Sequence, residues 1–323
     1  MNNFFYIGDN PILIKEWNDN INIVILDWLM KNYDSNNQVY CSVLDKFITL
    51  MDLNFEQIKS KPVNFTVKRI KSLYGMIDVI EKYPQRTLFG CVKICNDIPN
   101  SQIYSLEDLP AYCMGFFFHL GRINKKIWIL NCYNYDKFQK IQHILNKKFP
   151  QVTFEHRKTK QTTHKGSPIW EISVDQTRNY HNKDFVKKWT YWFFTNNNKI
   201  VPKNILNSNN NCKRQFIQGI QDSLESGFES MIFMDKISCA QVHYLHICLG
   251  ESVIVNQNEN DFYSFNILQI PKDLVNNGQI IIEKTNIYLK HPENLYKFEY
   301  IPNFKKGELG DRHVLVGIGN MVL

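Results

Sequence analysis

Carboxylates that converge in pairs can hold a divalent cation against a phosphodiester, and imidazoles or thiols at short spacing can hold a softer one. The chain offers such groups at only a few places. Two segments roughly a hundred residues apart, AYCMGFFFHLGRI (111–123) and RQFIQGIQDSLESG (214–227), each run an apolar helical pattern through a glycine, Gly115 and Gly219. Helices pack side by side at close range only where small residues let their backbones approach, so these glycines predict a helix–helix interface. The ends of such a pair are where groups from distant parts of the chain meet. Near the second end stand Asp222 and Glu225; near the first, no Asp or Glu occurs between Asp108 and Asp136, and His119 is the ligand-type side chain present. Magnesium prefers hard oxygen donors, so a neutral imidazole replaces a carboxylate poorly.

Other candidate groups read as follows. His243 and His246 lie three apart on one helical pattern without a third ligand in view, which predicts buried, hydrogen-bonded histidines rather than a metal site. The eight cysteines are scattered through apolar runs, and the closest pair, Cys91 and Cys95, has no second ligand pair nearby. Buried thiols in a reducing compartment are expected, with no metal and no cofactor. The run FEHRKTKQTTHKG (154–166) sets Arg157, Lys158, Lys160 and Lys165 against Glu155, a set that suits phosphate contacts or a solvated hairpin tip. Residues 229–268 are the reverse: Glu229, Asp235, Glu251, Glu259 and Asp261 against Lys236 as the one basic side chain. An acidic surface there would repel a polyanion and attract a basic partner. Gly310, Gly317 and Gly319 lack the strand–glycine–helix context of a phosphate loop and read as turns.

The elements that must position these groups show an order. At 323 residues the chain exceeds one typical domain, and its net charge of +7 permits contact with nucleic acid without requiring it. The first hundred residues read as mainly helical over 21–32, 43–51 and 65–81. From residue 109 a helix to 120, a strand over 126–132, a helix over 136–149, strands near 152–156 and 169–174 and a helix over 184–194 are predicted. A second series follows: a helix over 213–224, a strand at 229–234, a helix over 238–249, and strands at 252–256 and 262–268. The fold class is therefore α/β in the α+β sense, with a helical module at 1–105, one half at 106–200 and a second, pseudo-symmetric half at 201–323 that carries a C-terminal extension. No apolar stretch reaches membrane-spanning length and the first residues make a poor signal peptide, so a cytoplasmic location is expected.

The duplicated helix–strand order, the two glycine helices and the passage WTYWFFTNNNKIVPKNILNSNNNCKRQFIQGIQDS (189–223), with Lys199, Pro202 and Gly219 in sequence, resemble the LAGLIDADG homing endonucleases. The resemblance implies two αββαββ halves whose motif helices form the interface through Gly115 and Gly219. It also implies that Leu120 and Leu224 occupy the positions where the family carries its essential acids, so the expected protein is not an enzyme. Abundant Asn, Lys, Ile, Phe and Tyr fit a gene of high A+T content. On that ground the chain is more distantly similar to immunity proteins of killer plasmids, which neutralise a tRNA-cleaving toxin. The implied partner is then a protein, with Glu251, Glu259 and Asp261 as contacts and homodimerisation open. An intron maturase or other RNA- or DNA-binding derivative that uses Arg157, Lys158, Lys160 and Lys165 is the alternative, and an active endonuclease built on Glu225 and His119 ranks last.

Overall fold

The computed structural model describes residues 4–7, 11–32, 36–41, 46–49, 53–57, 66–72, 75–80, 100–163, 165–195, 198–224, 232–233, 235–251, 253–257, 263–267, 283–289 and 295–300. Its elements are helices and antiparallel sheets, an α+β chain. They fall into two compact units, a continuous one at Ser101–Met231 and a discontinuous one made of Met1–Asn100 and Ile232–Leu323. Among the described residues no helix is long and apolar enough to cross a membrane.

The discontinuous unit opens with strands β1 (Phe4–Ile7), β2 (Pro11–Lys15) and β3 (Ile21–Ile25), helix α1 (Leu26–Lys31), and strands β4 (Gln38–Cys41), β5 (Lys46–Thr49), β6 (Leu53–Gln57), β7 (Thr66–Ser72) and β8 (Gly75–Ile80). This corrects the expected helical module. INIVI at 21–25 alternates as well as it fits a helical period, and its β-branched residues pair with β2 from Pro11↔Ile25 to Lys15↔Ile21. Thr66–Ser72 and Gly75–Ile80 likewise form an antiparallel pair, from Val67↔Ile80 to Ser72↔Gly75. Short apolar runs carry both periods, and pairing decides between them. Ile12, Leu13, Ile14, Ile23, Leu26 and Leu29 are buried in the core of this unit.

In the continuous unit, α2 (Ala111–Leu120) is apolar nearly all round and is buried from Ala111 to Phe118. The chain then forms β9 (Gly121–Asn124), β10 (Ile127–Cys132), α3 (Tyr135–Lys148), β11 (Glu155–Thr162), β12 (Pro168–Asp175) and α4 (Tyr180–Phe193). After the short pair β13 (Phe194–Thr195) and β14 (Asn198–Lys199) come α5 (Lys203–Leu206) and α6 (Asn210–Ser223). Asparagine starts three of these helices: the side chains of Asn134, Asn179 and Asn209 accept from the amides of Lys137, Asn182 and Cys212. The sheet runs β11-β12-β10-β9. Its register, Trp128↔Val174 and Leu130↔Ile172, puts the apolar side chains on the face that the helices cover. Phe117 of α2 stacks on Trp128 at 5.1 Å and meets Trp189 and Phe193 of α4 edge-on, so the core joins all three layers of the unit.

The rest of the discontinuous unit holds β15 (Ile232–Phe233), α7 (Lys236–Cys248), β16 (Val253–Gln257), β17 (Tyr263–Ile267), β18 (Glu283–Leu289) and β19 (Leu295–Tyr300). The order β15-β17-β16 matches that of β10-β12-β11 in the first sheet, a topological repeat. β18 pairs with β7, and β19 lies between β1 and β6.

Candidate functional site

Helices α2 and α6 meet backbone to backbone. A Cβ on Gly115 would fall 1.9 Å from the carbonyl oxygen of Phe216, and one on Gly219 would fall 2.1 Å from that of Tyr112. No larger residue fits either position without prising the helices apart. Both helices end together after their contact: α2 gives way to extended backbone at Gly121 and α6 at Leu224. Leu120 and Leu224, each half-buried, therefore stand at the last turns of the pair.

Two nitrogen bases and a hydroxyl, His119, Lys199 and Ser223, meet at these ends. His119 Nδ1 lies 2.7 Å from Ser223 Oγ, and Ser223 Oγ also donates to the Ile220 carbonyl at 2.5 Å. Burial, aided by the neighbouring Lys199 ammonium, lowers His119 to about 4. Lys199 Nζ donates to the carbonyls of Phe117 and Gly121, both at 2.5 Å, and so caps the end of α2; burial lowers it to about 7. An imidazole, a hydroxyl and an ammonium are poor ligands for magnesium, which prefers hard oxygen donors. Glu225 lies outside the described residues.

Asp222, an acid of the last turn of α6, is held by three side chains. It accepts from the Tyr112 hydroxyl at 2.8 Å, from Lys137 Nζ at 2.9 Å and from Gln218 Nε2 at 3.1 Å. Burial alone would raise its pKa, but the hydrogen bonds from Lys137 and Tyr112 outweigh it and hold the carboxyl below its usual range. Burial, and then the bond to Asp222, pushes Tyr112 well up. Lys140 Nζ sits 3.6 Å above the Tyr112 ring. This node ties α2, α3 and α6 together.

The four basic candidates divide by the pleat of β11, an edge strand exposed over nearly its whole length. Arg157 pairs in register with Glu171, on the face opposite the helices, whereas Lys158 pairs with Trp170 on the other. Glu171 is buried and clamped: Arg157 Nη2 is 2.6 Å from Oε1, and Arg122 Nη2 is 3.8 Å from Oε2. Lys158, Lys160 and Lys165 are exposed along the edge and its turn. Asn131 and Ser173 lie on the same face as the two arginines, by the registers Asn131↔Glu171 and Ile129↔Ser173, but Ser173 is buried there beneath the exposed guanidinium groups. The charge of the chain is concentrated in this unit. Residues 101–231 hold nineteen Lys and Arg against ten Asp and Glu, and the remainder holds nineteen against twenty-one.

Of the five acids of residues 229–268, Asp235 and Glu251 are described: Asp235 caps α7, accepting from Ser238 N at 2.8 Å, and Glu251 Oε2 lies 2.5 Å from His246 Nδ1; Glu229, Glu259 and Asp261 lie outside the described residues. His243 and His246 are buried in α7. Among the described residues no group of three His, Cys, Asp or Glu is placed to hold a metal, and Cys113, Cys132, Cys212, Cys239 and Cys248 form no disulfide. Cys91 and Cys95 and the three C-terminal glycines also lie outside the described residues. Sequence reasoning missed Ser223, Arg122 and Glu171 as parts of a site. Glu171 had a signal, an acid inside the apolar run IWEISV, which burial can tolerate only with a cationic partner.

No family model matches the chain. A DNA polymerase of Acanthamoeba polyphaga mimivirus is 24% identical to it over 362 residues, an alignment covering 98% of this chain and 20% of the polymerase. The chain thus spans about a fifth of the length of that relative. Among solved structures, I-DmoI in complex with DNA and Mn aligns with a TM-score of 0.33 at 12% identity, over 52% of this chain and 91% of that one. The homing endonuclease I-WcaI bound to its DNA recognition sequence aligns with a TM-score of 0.30 at 14% identity, over 51% and 75%. These neighbours are LAGLIDADG homing endonucleases.

Proposed function

We propose that the chain is a nucleic-acid-binding protein derived from a LAGLIDADG endonuclease, which grips a duplex with the unit at residues 101–231 and does not cut it. The concentration of positive charge in that unit, with an exposed basic edge strand, carries the reading. Lys158, Lys160 and Lys165 meet phosphates, while the exposed Arg122 and Arg157 on the sheet face opposite the helices offer donors toward base edges. Glu171 fixes both arginines and neutralises part of their charge. Cleavage is absent from the proposal because Leu120 and Leu224 have no carboxylate, the described groups His119, Ser223 and Lys199 beside them are cationic or neutral, and Asp222 is taken up by Lys137 and Tyr112.

The test is a titration of a mixed-sequence duplex against the whole chain at several salt concentrations, with and without magnesium. A triple variant, Lys158→Glu, Lys160→Glu and Lys165→Glu, is expected to bind at least about tenfold more weakly at 100 mM salt. Its salt slope is expected to be shallower by about 3, at roughly 0.9 for each phosphate that is no longer neutralised. Equal affinity and slope for both proteins would remove the reading, and magnesium-dependent strand scission would remove its non-catalytic part. Neutralisation of a tRNA-cleaving toxin through Glu251, Glu259 and Asp261 ranks second, because Glu251 is engaged by His246. Charge reversal at the three acids, scored by host growth under toxin co-expression, tests it.

A further inference from the structure

Helix α4 has two faces of different chemistry. Asn182, Phe185, Val186, Trp189 and Phe193 are buried against the unit. At 100° per residue, Tyr180, Lys183, Lys187, Tyr191 and Lys188 fall together on the opposite side, and all five are exposed. Tyr191 is 82% exposed and Tyr180 70%, high values for residues that usually bury their rings. At 1.5 Å per residue the two rings stand about 16 Å apart along the axis, with Lys183 and Lys187 between them. Lys188 Nζ sits 4.8 Å above the ring of Trp192, which extends the aromatic and cationic row around the helix. The single acid of this face, Asp184, stands one helical turn after Tyr180.

From this juxtaposition we propose that the outer face of α4 binds single-stranded nucleic acid, with Tyr180 and Tyr191 stacking on unpaired bases and Lys183, Lys187 and Lys188 meeting the intervening phosphates. Exposed rings interleaved with lysines suit a flexible strand whose bases are free to stack. A duplex keeps its bases stacked on one another and offers tyrosine nothing to lie on. The surface is separate in sequence and in element from the basic edge strand β11, so this inference does not rest on the duplex reading.

The experiment titrates fluorescently labelled 20-nucleotide single-stranded RNA and DNA, a 20-base-pair duplex and anionic phosphatidylserine vesicles against the whole chain. It compares wild type with a Tyr180→Ala, Tyr191→Ala double variant and with a Lys183→Glu, Lys187→Glu, Lys188→Glu triple variant. Circular dichroism checks that each exposed-site variant keeps its fold. The tyrosine variant is expected to lose at least about tenfold in single-strand affinity and to leave duplex affinity unchanged. The lysine variant is expected to make the single-strand salt slope shallower by about 2, at roughly 0.7 for each phosphate neutralised. Single-strand affinity equal to wild type in the tyrosine variant would overturn the proposal. So would vesicle binding that depends on these five residues while single-strand binding does not. Loss of duplex binding on β11 charge reversal, with single-strand binding retained, would separate this surface from the other.

Discussion

His119 and Lys199 are two bases held at the ends of the paired helices in surroundings that disfavour their charged forms, and the consequence can be measured. The folded value of His119, about 4, lies below its ordinary 6.5. Between those values the unfolded chain binds a proton that the folded chain does not, so stability rises with pH through that window and is lost on acidification from 6.5 toward 4. The difference is on the order of 3 kcal/mol for a mostly buried imidazole. Lys199, about 7 folded against 10.5, acts in the same direction over the higher window. Asp222 opposes neither, because its carboxyl is held low and stays charged until the medium is more acidic than its ordinary range. A His119→Gln variant, able to keep a hydrogen bond to Ser223 but unable to titrate, is therefore expected to flatten the pH dependence of the urea midpoint between 4 and 6.5 and to leave the higher window as it is. An unchanged slope in the lower window would mean that the imidazole does not titrate against burial there.

At the scale of the elements, the contact of α2 with α6 sets the geometry of everything at its ends. Phe216 O and Tyr112 O occupy the space a Cβ would need, and both are backbone atoms that move only with their helices. Gly115→Ala or Gly219→Ala is expected to destabilise the chain by about 3 kcal/mol, the upper part of the usual cost of overpacking, despite the better helix propensity of alanine. Urea unfolding measures it, and a loss under about 0.5 kcal/mol would show that the helices can separate at little cost. This interface was legible in the sequence because close helix packing leaves few residue choices at the crossing. The longer elements between residues 109 and 268 were legible for a related reason: long apolar periods mark α3, α4 and α6. The strands of the first hundred residues were not. Segments such as INIVI and TVKRIKS are too short for their period to choose between helix and strand, and one of the two partners of β7, β18, lies some two hundred residues away. β9 was missed because four residues, GRIN, carry almost no pattern; its pairing with β10 makes it a strand. At the site, the sequence pointed to the leucines at the helix ends. It could not place Ser223 beside His119, because that hydrogen bond joins positions 104 apart in the chain.

At the scale of the whole molecule, the discontinuous unit has a property that follows from its register. β1 and β19 pair from Phe4↔Phe298 to Ile7↔Leu295, so the strands through which the chain enters and leaves that sheet lie side by side, about 5 Å apart. Folding of the unit thus brings residues 4 and 298 together without help from anything attached to them. A flexible insert of about 300 residues would burden a host loop with roughly 5 kcal/mol of closure entropy, whereas an insert whose own sheet joins its ends adds little beyond a short turn. Residues 4–300 placed in an exposed surface loop of a reporter enzyme are accordingly expected to lower the host's unfolding free energy by less than about 2 kcal/mol. A Gly/Ser-rich insert of equal length is expected to lower it by about 5 kcal/mol. The comparison is made by urea unfolding of the host activity. To separate the register from mere compactness, a third insert carries Phe4→Pro and Tyr6→Pro, which remove two backbone donors from β1 and disrupt its ladder with β19. That insert is expected to move toward the flexible value. If all three inserts weaken the host equally, the pairing of β1 with β19 does not close the module.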